Sequence, residues 1–505
     1  MGVPSFFNWL IKNKIINDLI LNNIPINIDY LFIDTNCLMH PCVNYIIDKY
    51  KNNELNIDKT KPIRTQIENF IIEEIEHYIL KLLETVKPKI TYMAIDGVAP
   101  MGKILQQRQR RYKYLYDQKD ITEVEDNQLK YPISSIELTP GTNYMERLHK
   151  QFTKFAKKNK IIYSSYLEEG EGEHKILQFI RKKTKSTDTF VIYGLDADLL
   201  FLSLSISSNN KIYVMRESSV FSNIIENDKK NRNDKSDTTI SDYNYVDIDQ
   251  LKIMIESMGI SINDFIIICF LIGNDFIPKI LTLDVKRCGL DKIILAYNNI
   301  KPMINNDIIK NNKIDHNALI LLFEQLKFTE KYVWKNINRK EIDDINRIKF
   351  SSDLEYYNHY LGTNWIKINE CEIKKMVKNY IETFKWCIDY YLDECKSWKY
   401  GYNYHIAPLI TDIIKYYPKD INYEHSNCKL KPIEQLILAI PRRTYKFVLQ
   451  KELIDKLSSM KEFGYLFPDS YDLDVNKDII DWKYFVKIPI PNFDEYYSIV
   501  KTLKI

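Results

Sequence analysis

Residues 30–34, Tyr30-Leu-Phe-Ile-Asp34, are four aromatic or aliphatic side chains running straight into an acid. An unbroken apolar run of this length, ended by a polar residue, is what a strand buried on both faces presents. The pattern returns at Ile90–Asp96 (ITYMAID) and at Phe190–Tyr193 (FVIY), which leads into Leu195-Asp-Ala-Asp198. Helical periodicities lie around these runs, at Ile67–Val86, Gly102–Gln118 and Tyr144–Lys158. The alternation predicts an α/β domain with a largely parallel sheet flanked by helices. From about residue 300 onward the pattern is mainly helical and rich in Tyr. Asn223–Asp242 is polar and reads as a surface loop, and the charged stretch Asn336–Arg347 reads as a linker. The expected organisation is a domain over 1–335, a linker over 336–366 and a mainly helical region over 367–505. No internal repeat is visible.

The positions of the acids carry the chemistry. Asp34, Asp96, Asp196 and Asp198 follow apolar strand runs, and Glu171 and Glu173 sit in Glu169-Gly-Glu-Gly-Glu-His174, just before a helical stretch. Asp275 follows the apolar run IIICFLIGN and is grouped with the strand-end acids. Ligands of open α/β sheets bind at the carboxyl ends of the strands. Acids gathered there repel one another unless a counter-charge is present. Mg²⁺ or Mn²⁺, which prefer carboxylate and water oxygens, would supply it, and the number of acids suggests two ions roughly 3.5–4 Å apart. For any single Asp a turn-forming role is the better explanation; for the whole set it is not.

Beside Asp96, residues 100–113 read PMGKILQQRQRRYK. On a helix at about 100° per residue, Lys103, Gln107, Arg110 and Arg111 fall within one arc, while Leu105, Tyr112 and Tyr116 face the other way. Such a stripe of donors fits a terminal phosphate, which Arg holds in a bidentate fork. A merely solvated charged face is the usual alternative for a basic helix, and the adjacent acids weigh against it.

Composition sets the outer bounds. In 505 residues, 71 Lys and Arg against 68 Asp and Glu leave a formal net charge of +3, which excludes a globally polycationic nucleic-acid binder. Any anionic partner must therefore meet a local cluster. The eight cysteines form no CxxC pair, and Cys37, His40 and Cys42 lack a second ligand pair at zinc-finger spacing. The longest apolar run, Ile266–Ile272, is too short to span a bilayer, so no membrane association is expected.

Together these segments resemble the Xrn-type 5′→3′ exoribonucleases. The resemblance rests on MGVPSFFNWL at the start, FIDTNCLMH (32–40), YMAIDGVAPMGKILQQRQRRYK (92–113), LTPGTNYMERL (138–148), EGEGEHKILQFIR (169–181), IYGLDADLLFLSL (192–204) and LIGNDFIPKI (271–280). YIETFKWCIDYYLDECKSWKYGYNYHIAPLITDI (380–413), PIEQLILAIP (432–441) and the segment around Phe467–Tyr471 are similar to the family's second conserved region. The combination AIDGVAP, GEGEHK, GLDADL in that order is specific, whereas each alone is weak. The resemblance implies a PIN/flap-nuclease-like sheet followed by a mainly helical second conserved region. It implies that Asp34, Asp96, Glu171, Glu173, Asp196, Asp198 and Asp275 are catalytic metal ligands for Mg²⁺ or Mn²⁺. It places Lys103, Gln107, Arg110 and Arg111 in a 5′-phosphate pocket, and His40 with Trp398 as the pair that stacks on a terminal base. Stacking reads every base alike, as sequence-independent degradation requires.

The implied activity is processive, metal-dependent hydrolysis of single-stranded RNA with a 5′-monophosphate to mononucleotides, as in mRNA decay. The implied setting is a monomer in the cytoplasm, with the nucleus as the alternative, and with decapping machinery as candidate partners. The chain departs from the family pattern at Cys37, Met101-Gly102 and Tyr400, and after Asp275, where IPKILTL stands. It stops at residue 505, where the long members continue, so a catalytic core without their C-terminal domains is expected. A structure-specific flap-type DNA nuclease would follow Asp275 with a Gly-x-Gly hairpin, which DFIPKILTLDVKRCGLDKIILAY lacks. An inactive RNA-binding scaffold would have no need of all seven acids.

Overall fold

The run at 30–34 forms a strand because its side chains are covered on both faces. The computed structural model describes residues 6–13, 19–24, 27–117, 136–194, 198–206, 210–218, 242–285, 288–305, 307–330, 356–358, 369–473 and 485–503. Its first two-thirds contains α1 (Phe6–Lys12), β1 (Ile20–Leu21), β2 (Tyr30–Asp34), α2 (Thr35–Lys51), α3 (Ile63–Val86), β3 (Ile90–Ala94), α4 (Met101–Asp117), α5 (Asn143–Asn159), β4 (Ile162–Ser164), α6 (Gly172–Lys183), β5 (Thr189–Tyr193), α7 (Asp198–Leu204), β6 (Lys211–Glu217), β7 (Tyr243–Asp247), α8 (Ile262–Cys269) and α9 (Gly289–Ile300). Beyond it, α10 (Glu370–Leu392) and α11 (Pro432–Ala439) belong to the mainly helical part.

The seven strands form one sheet in the order β1-β7-β6-β5-β2-β3-β4. β4, β3, β2, β5 and β6 run parallel. β7 and β1 add an antiparallel edge, which the apolar-run pattern did not predict. The chain leaves β2 in one direction for β3 and β4, then crosses to its other side for β5 and β6. The crevice between β2 and β5, where the direction reverses, is where such sheets hold ligands.

Alternate residues of the strands feed two apolar layers. Leu31 and Ile33 of β2, Met93 of β3 and Val191 of β5 face α2, α3 and α5. Phe32, Tyr92 and Phe190 face the opposite layer, which holds α1, α6, α7, α8 and α10. That second layer draws on distant parts of the chain, from Phe6 to Tyr423. Phe6 of α1 packs on Phe201 at 4.6 Å between ring centroids, and the Trp9 indole donates to Asp291 on α9 at 2.9 Å. Phe276 lies 5.0 Å from Trp386 of α10. Arg181 on α6 donates to the carbonyls of Tyr391 (2.6 Å) and Asp393, and so ties down the end of α10.

One sequence expectation needs correction. The apolar run that leads to Asp275 is helical, α8 followed by one 3-10 turn at Phe270–Ile272, so Asp275 does not end a strand. Its period is hidden because every position from Phe265 to Ile272 is buried. Such a run reads the same as a core strand or a core helix. Of the expected linker 336–366 only 356–358 are described, and there Tyr356 and Tyr357 are buried and bonded to the Ala407 carbonyl and the Asp412 carboxylate. The loop expected at 223–242 lies outside the described residues except Asp242. Among the described residues no single helix is long and apolar enough to cross a membrane.

Candidate active site

Asp34 ends β2 and at the same time caps α2. Its Oδ1 accepts from the Asn36 amide at 3.2 Å and its Oδ2 from the Cys37 thiol at 3.1 Å. Asn36 in turn accepts from the Asp96 amide at 3.1 Å, which joins the loop after β3 to the start of α2. Asp96 accepts the Gly172 amide at 2.6 Å and so sits at the N-terminus of α6, where the helix dipole favours a carboxylate. Gly172 has no room for a side chain, since a Cβ there would lie 2.7 Å from Asp34 Oδ1. Two acids from two chain segments, Asp34 and Asp96, are thereby packed against one glycine.

Glu171 and Asp275 come in from the side. Asp275 projects from a tight turn in which Asn274 Oδ1 accepts the amides of Phe276 (2.9 Å) and Ile277 (3.0 Å). The Lys103 ammonium, from the first turn of α4, pairs with Glu171 and with Asp275, the latter at 2.7 Å. Gln106 donates to the other Asp275 oxygen at 2.9 Å, and the Tyr390 hydroxyl donates to Glu171 Oε2 at 3.1 Å. All three charged side chains are nearly buried: Lys103 is 11% exposed, Glu171 5% and Asp275 4%. Burial pushes the Glu171 carboxyl above the usual range, with Lys103 opposing. Burial acts on Asp275 in the same direction, but there the Lys103 ammonium prevails and holds it at about 2.

Two further basic groups brace the wall. Burial brings the Lys175 amine down to about 8, and that amine donates to the carbonyls of Ile95 and Ser165, both at 2.7 Å. His174 is kept neutral by burial, with its pKa lowered to about 3, and stacks on Tyr390 at 4.2 Å. Glu173, in the first turn of α6, is partly buried.

The remaining expected residues are spread more widely. Asp196 lies outside the described residues; Asp198 opens α7, and its side chain is likewise outside. Along α4, Lys103 turns inward to the acids, Gln107 is partly buried and Arg110 is exposed. Arg111 donates to Thr139 at 2.6 Å. The expected apolar side of α4 is there, with Tyr112 fully buried against Val486 and Ile488. It also holds a residue whose charge, though not its place on the helical wheel, argued for solvent. Arg108 is 1% exposed, donates to the carbonyls of Leu438 (2.9 Å) and Leu466, and lies 4.6 Å from the ring centroids of both Tyr112 and Phe467. His40 is exposed on α2. Trp398 is buried beside Gly170, with the Lys429 ammonium 5.0 Å above its ring. The backbone around it fixes the start of α4, because the Trp398 and Tyr400 carbonyls accept the Met101 (2.8 Å) and Gly102 (3.2 Å) amides.

Asn36, Gln106, Gly172 and Tyr390 were not singled out from the sequence. Gln106 had a signal, since it lies three residues from Lys103 on the same helix; Tyr390 had none, being one of 36 tyrosines.

The donor set is made of carboxylate oxygens, the chemistry of a hard divalent cation. Among the described residues, no three His, Cys, Asp or Glu side chains converge closely enough to hold an ion as they stand. The Lys103 ammonium, set between Glu171 and Asp275, occupies the place of a counter-cation and shows that the acids accept one. On donor type and charge, the residues fit the expected metal.

Comparison with known proteins gives a consistent result. The family description "XRN 5′-3′ exonuclease N-terminus" matches residues 1–218, and "Xrn1 helical domain" matches 256–359 and 353–504. The 5′-3′ exoribonuclease 1 of Schizosaccharomyces pombe is 24% identical over 97% of this chain and 47% of its own length. The human 5′-3′ exoribonuclease 1 is 24% identical over 97% of this chain and 33% of its own. The 5′-3′ exoribonuclease 2 of Candida albicans is 27% identical over 68% of this chain and 41% of its own. The chain thus spans less than half the length of these curated relatives. Among solved structures, the bacteriophage T5 D15 flap endonuclease overlaps 62% of this chain and 94% of its own with a TM-score of 0.27 and 13% identity, too distant to bear on the site.

Proposed function

The chain belongs to the XRN 5′-3′ exonuclease family, and from that premise we propose that it removes nucleotides one at a time from the 5′-monophosphate end of single-stranded RNA. The observation that carries this reading is the contact between two features of opposite charge: Lys103, at the head of the cationic face of α4, touches Glu171 and Asp275.

Asp34, Asp96, Glu171, Glu173, Asp196, Asp198 and Asp275 would hold one or two Mg²⁺ or Mn²⁺ ions. When bound, these supply a water acidic enough to attack at neutral pH and charge to stabilise the leaving oxygen. Lys103, Gln107, Arg110 and Arg111 would hold the 5′-phosphate and fix the scissile bond one nucleotide away. Tyr390 orients Glu171, and Gln106 orients Asp275. Neutral His174, stacked on Tyr390, fills the wall without adding charge. His40 and Trp398 are the proposed base-stacking residues; Trp398 would need Lys429 to move off its ring. Decapped mRNA in the cytoplasm is the substrate this reading points to.

The test is a panel of one RNA sequence with 5′-hydroxyl, 5′-monophosphate or 5′-triphosphate ends, alongside a DNA flap, with and without chelator. Mononucleotide release from the monophosphate RNA alone, abolished by chelator and by Asp196→Ala with Asp198→Ala, is the expected result. Cleavage confined to the flap would establish a DNA nuclease, and tight RNA binding without cleavage would establish a scaffold. Either outcome overturns the proposal.

A further inference from the structure

Lys103 is claimed by two ligands at once. It belongs to the phosphate-binding face of α4, yet its ammonium is committed to Glu171 and to Asp275 Oδ2 at 2.7 Å. The groups around it are fixed: Gln106 holds the other Asp275 oxygen at 2.9 Å, and Tyr390 holds the other Glu171 oxygen at 3.1 Å. Neither acid can follow the lysine outward, because Tyr390 comes from the buried C-terminal half of α10 and Asp275 from a turn closed by Asn274. Withdrawing the ammonium therefore removes from two nearly buried carboxylates the cation in direct contact with both, a loss that a low-dielectric site makes costly. An incoming phosphate adds further negative charge beside the same acids.

Resting on the proposed function, we infer that Lys103 is an exchangeable counter-ion: it neutralises Glu171 and Asp275 while no divalent cation is bound, and is released to the 5′-phosphate when one binds, so that cation and 5′-phosphate bind cooperatively. The coupling is reciprocal by linkage. It makes recognition of the RNA end conditional on a charged metal site, so an end is gripped only where it can be cut.

The experiment measures binding rather than turnover. Affinities of the full chain for a short 2′-O-methyl oligonucleotide with a 5′-phosphate, and for the same oligonucleotide with a 5′-hydroxyl, are compared after chelation and then in Ca²⁺. The ratio of the two affinities cancels effects of the ion on the rest of the backbone. That ratio is expected to rise on adding Ca²⁺ by a factor on the order of 5–150, the usual range of coupling between sites. A preference for the 5′-phosphate that is the same with and without Ca²⁺ overturns the exchange but leaves the functional reading intact. No preference under any condition overturns both.

A second measurement separates exchange from scaffolding. Mn²⁺ binding is followed by electron paramagnetic resonance in the wild type and in Lys103→Met. If Lys103 competes with the cation, Lys103→Met binds Mn²⁺ several-fold more tightly, and thermal melts show that the bound ion restores its stability. If Lys103 merely props the acids in place, Mn²⁺ affinity is unchanged or falls, and the inference is refuted.

Discussion

Gly172→Ala adds one methyl group at the centre of the acid cluster. The new Cβ would stand 2.7 Å from Asp34 Oδ1, where ordinary contact begins at 3.4 Å, so the carboxylate must retreat by about 0.7 Å. It has little freedom to do so. Oδ1 accepts from the Asn36 amide, Oδ2 from the Cys37 thiol, and β2 is hydrogen-bonded between β3 and β5. Two stability terms oppose each other. Ala in place of Gly within a helix gains about 0.5–1 kcal/mol, and overpacking costs about 1–3 kcal/mol. The variant should fold, with its Tm lowered by a few degrees at most. Misplacing a reacting group by 1 Å costs about 10²-fold, so a 0.7 Å retreat of a metal ligand should lower kcat/KM on 5′-monophosphate RNA by roughly 10- to 100-fold. Gly464→Ala, within the helix Lys461–Leu466 and with no atom within 4 Å of the new Cβ, is the control: it should leave activity unchanged and raise stability slightly. A Gly172→Ala protein with activity within twofold of wild type would show that Asp34 is not held where the chemistry needs it.

Other perturbations isolate single contacts. Tyr390→Phe removes the 3.1 Å hydrogen bond to Glu171 and leaves a buried carboxylate oxygen unmatched; Mn²⁺ affinity measured by titration should fall about 10-fold, as for other residues that orient metal ligands, and unchanged affinity would remove Tyr390 from the site. Arg108→Ala deletes two charge-assisted bonds to carbonyls and a cation between two rings; urea unfolding should show a loss of about 3–5 kcal/mol, while the KM of the folded fraction for RNA stays near wild type. His405 is half-buried between Gln109 and the Ile488 carbonyl, and its desolvation brings its pKa down to about 4. The unfolded chain takes up that proton near pH 6.5. Stability should therefore be lost as pH falls from about 6.5 to 4, by up to about 3 kcal/mol from this group, and the loss should be smaller in His405→Gln when both are melted across that range.

The sequence reads best where one side chain answers to one local rule. Tyr30–Asp34 forms a strand over the expected five residues, and the helix at 101–117 presents Tyr112 inward as its period requires. Local rules mislead where burial erases the pattern. From Phe265 to Ile272 every residue is apolar and buried, so a helix and a strand look alike, and Asp275 was grouped with the strand ends. They are silent where the partner is remote. Arg108 sits in a run of basic and amide residues that suggests solvent, and only Leu438 and Leu466, far along the chain, bury it. The helical arc of Lys103 and Arg110 is geometrically sound, yet it could not show that Lys103 turns toward Glu171 while Arg110 faces outward. The edge strand β1 has two residues, too few to leave a period.

The packing of α1 has a consequence for biosynthesis. Trp9 of this buried apolar helix leaves the ribosome well before its partner: it bonds to Asp291, which lies 282 residues later. At about 5–20 residues per second, that delay is on the order of 15–60 s. Throughout it the helix lacks the last of its partners, and its apolar face is a natural target for a chaperone. The same delay defers the chemistry. Asp275 and Tyr390 are translated long after Asp34 and Asp96, so a nascent chain carries the first acids but not the turn and helix that complete their surroundings.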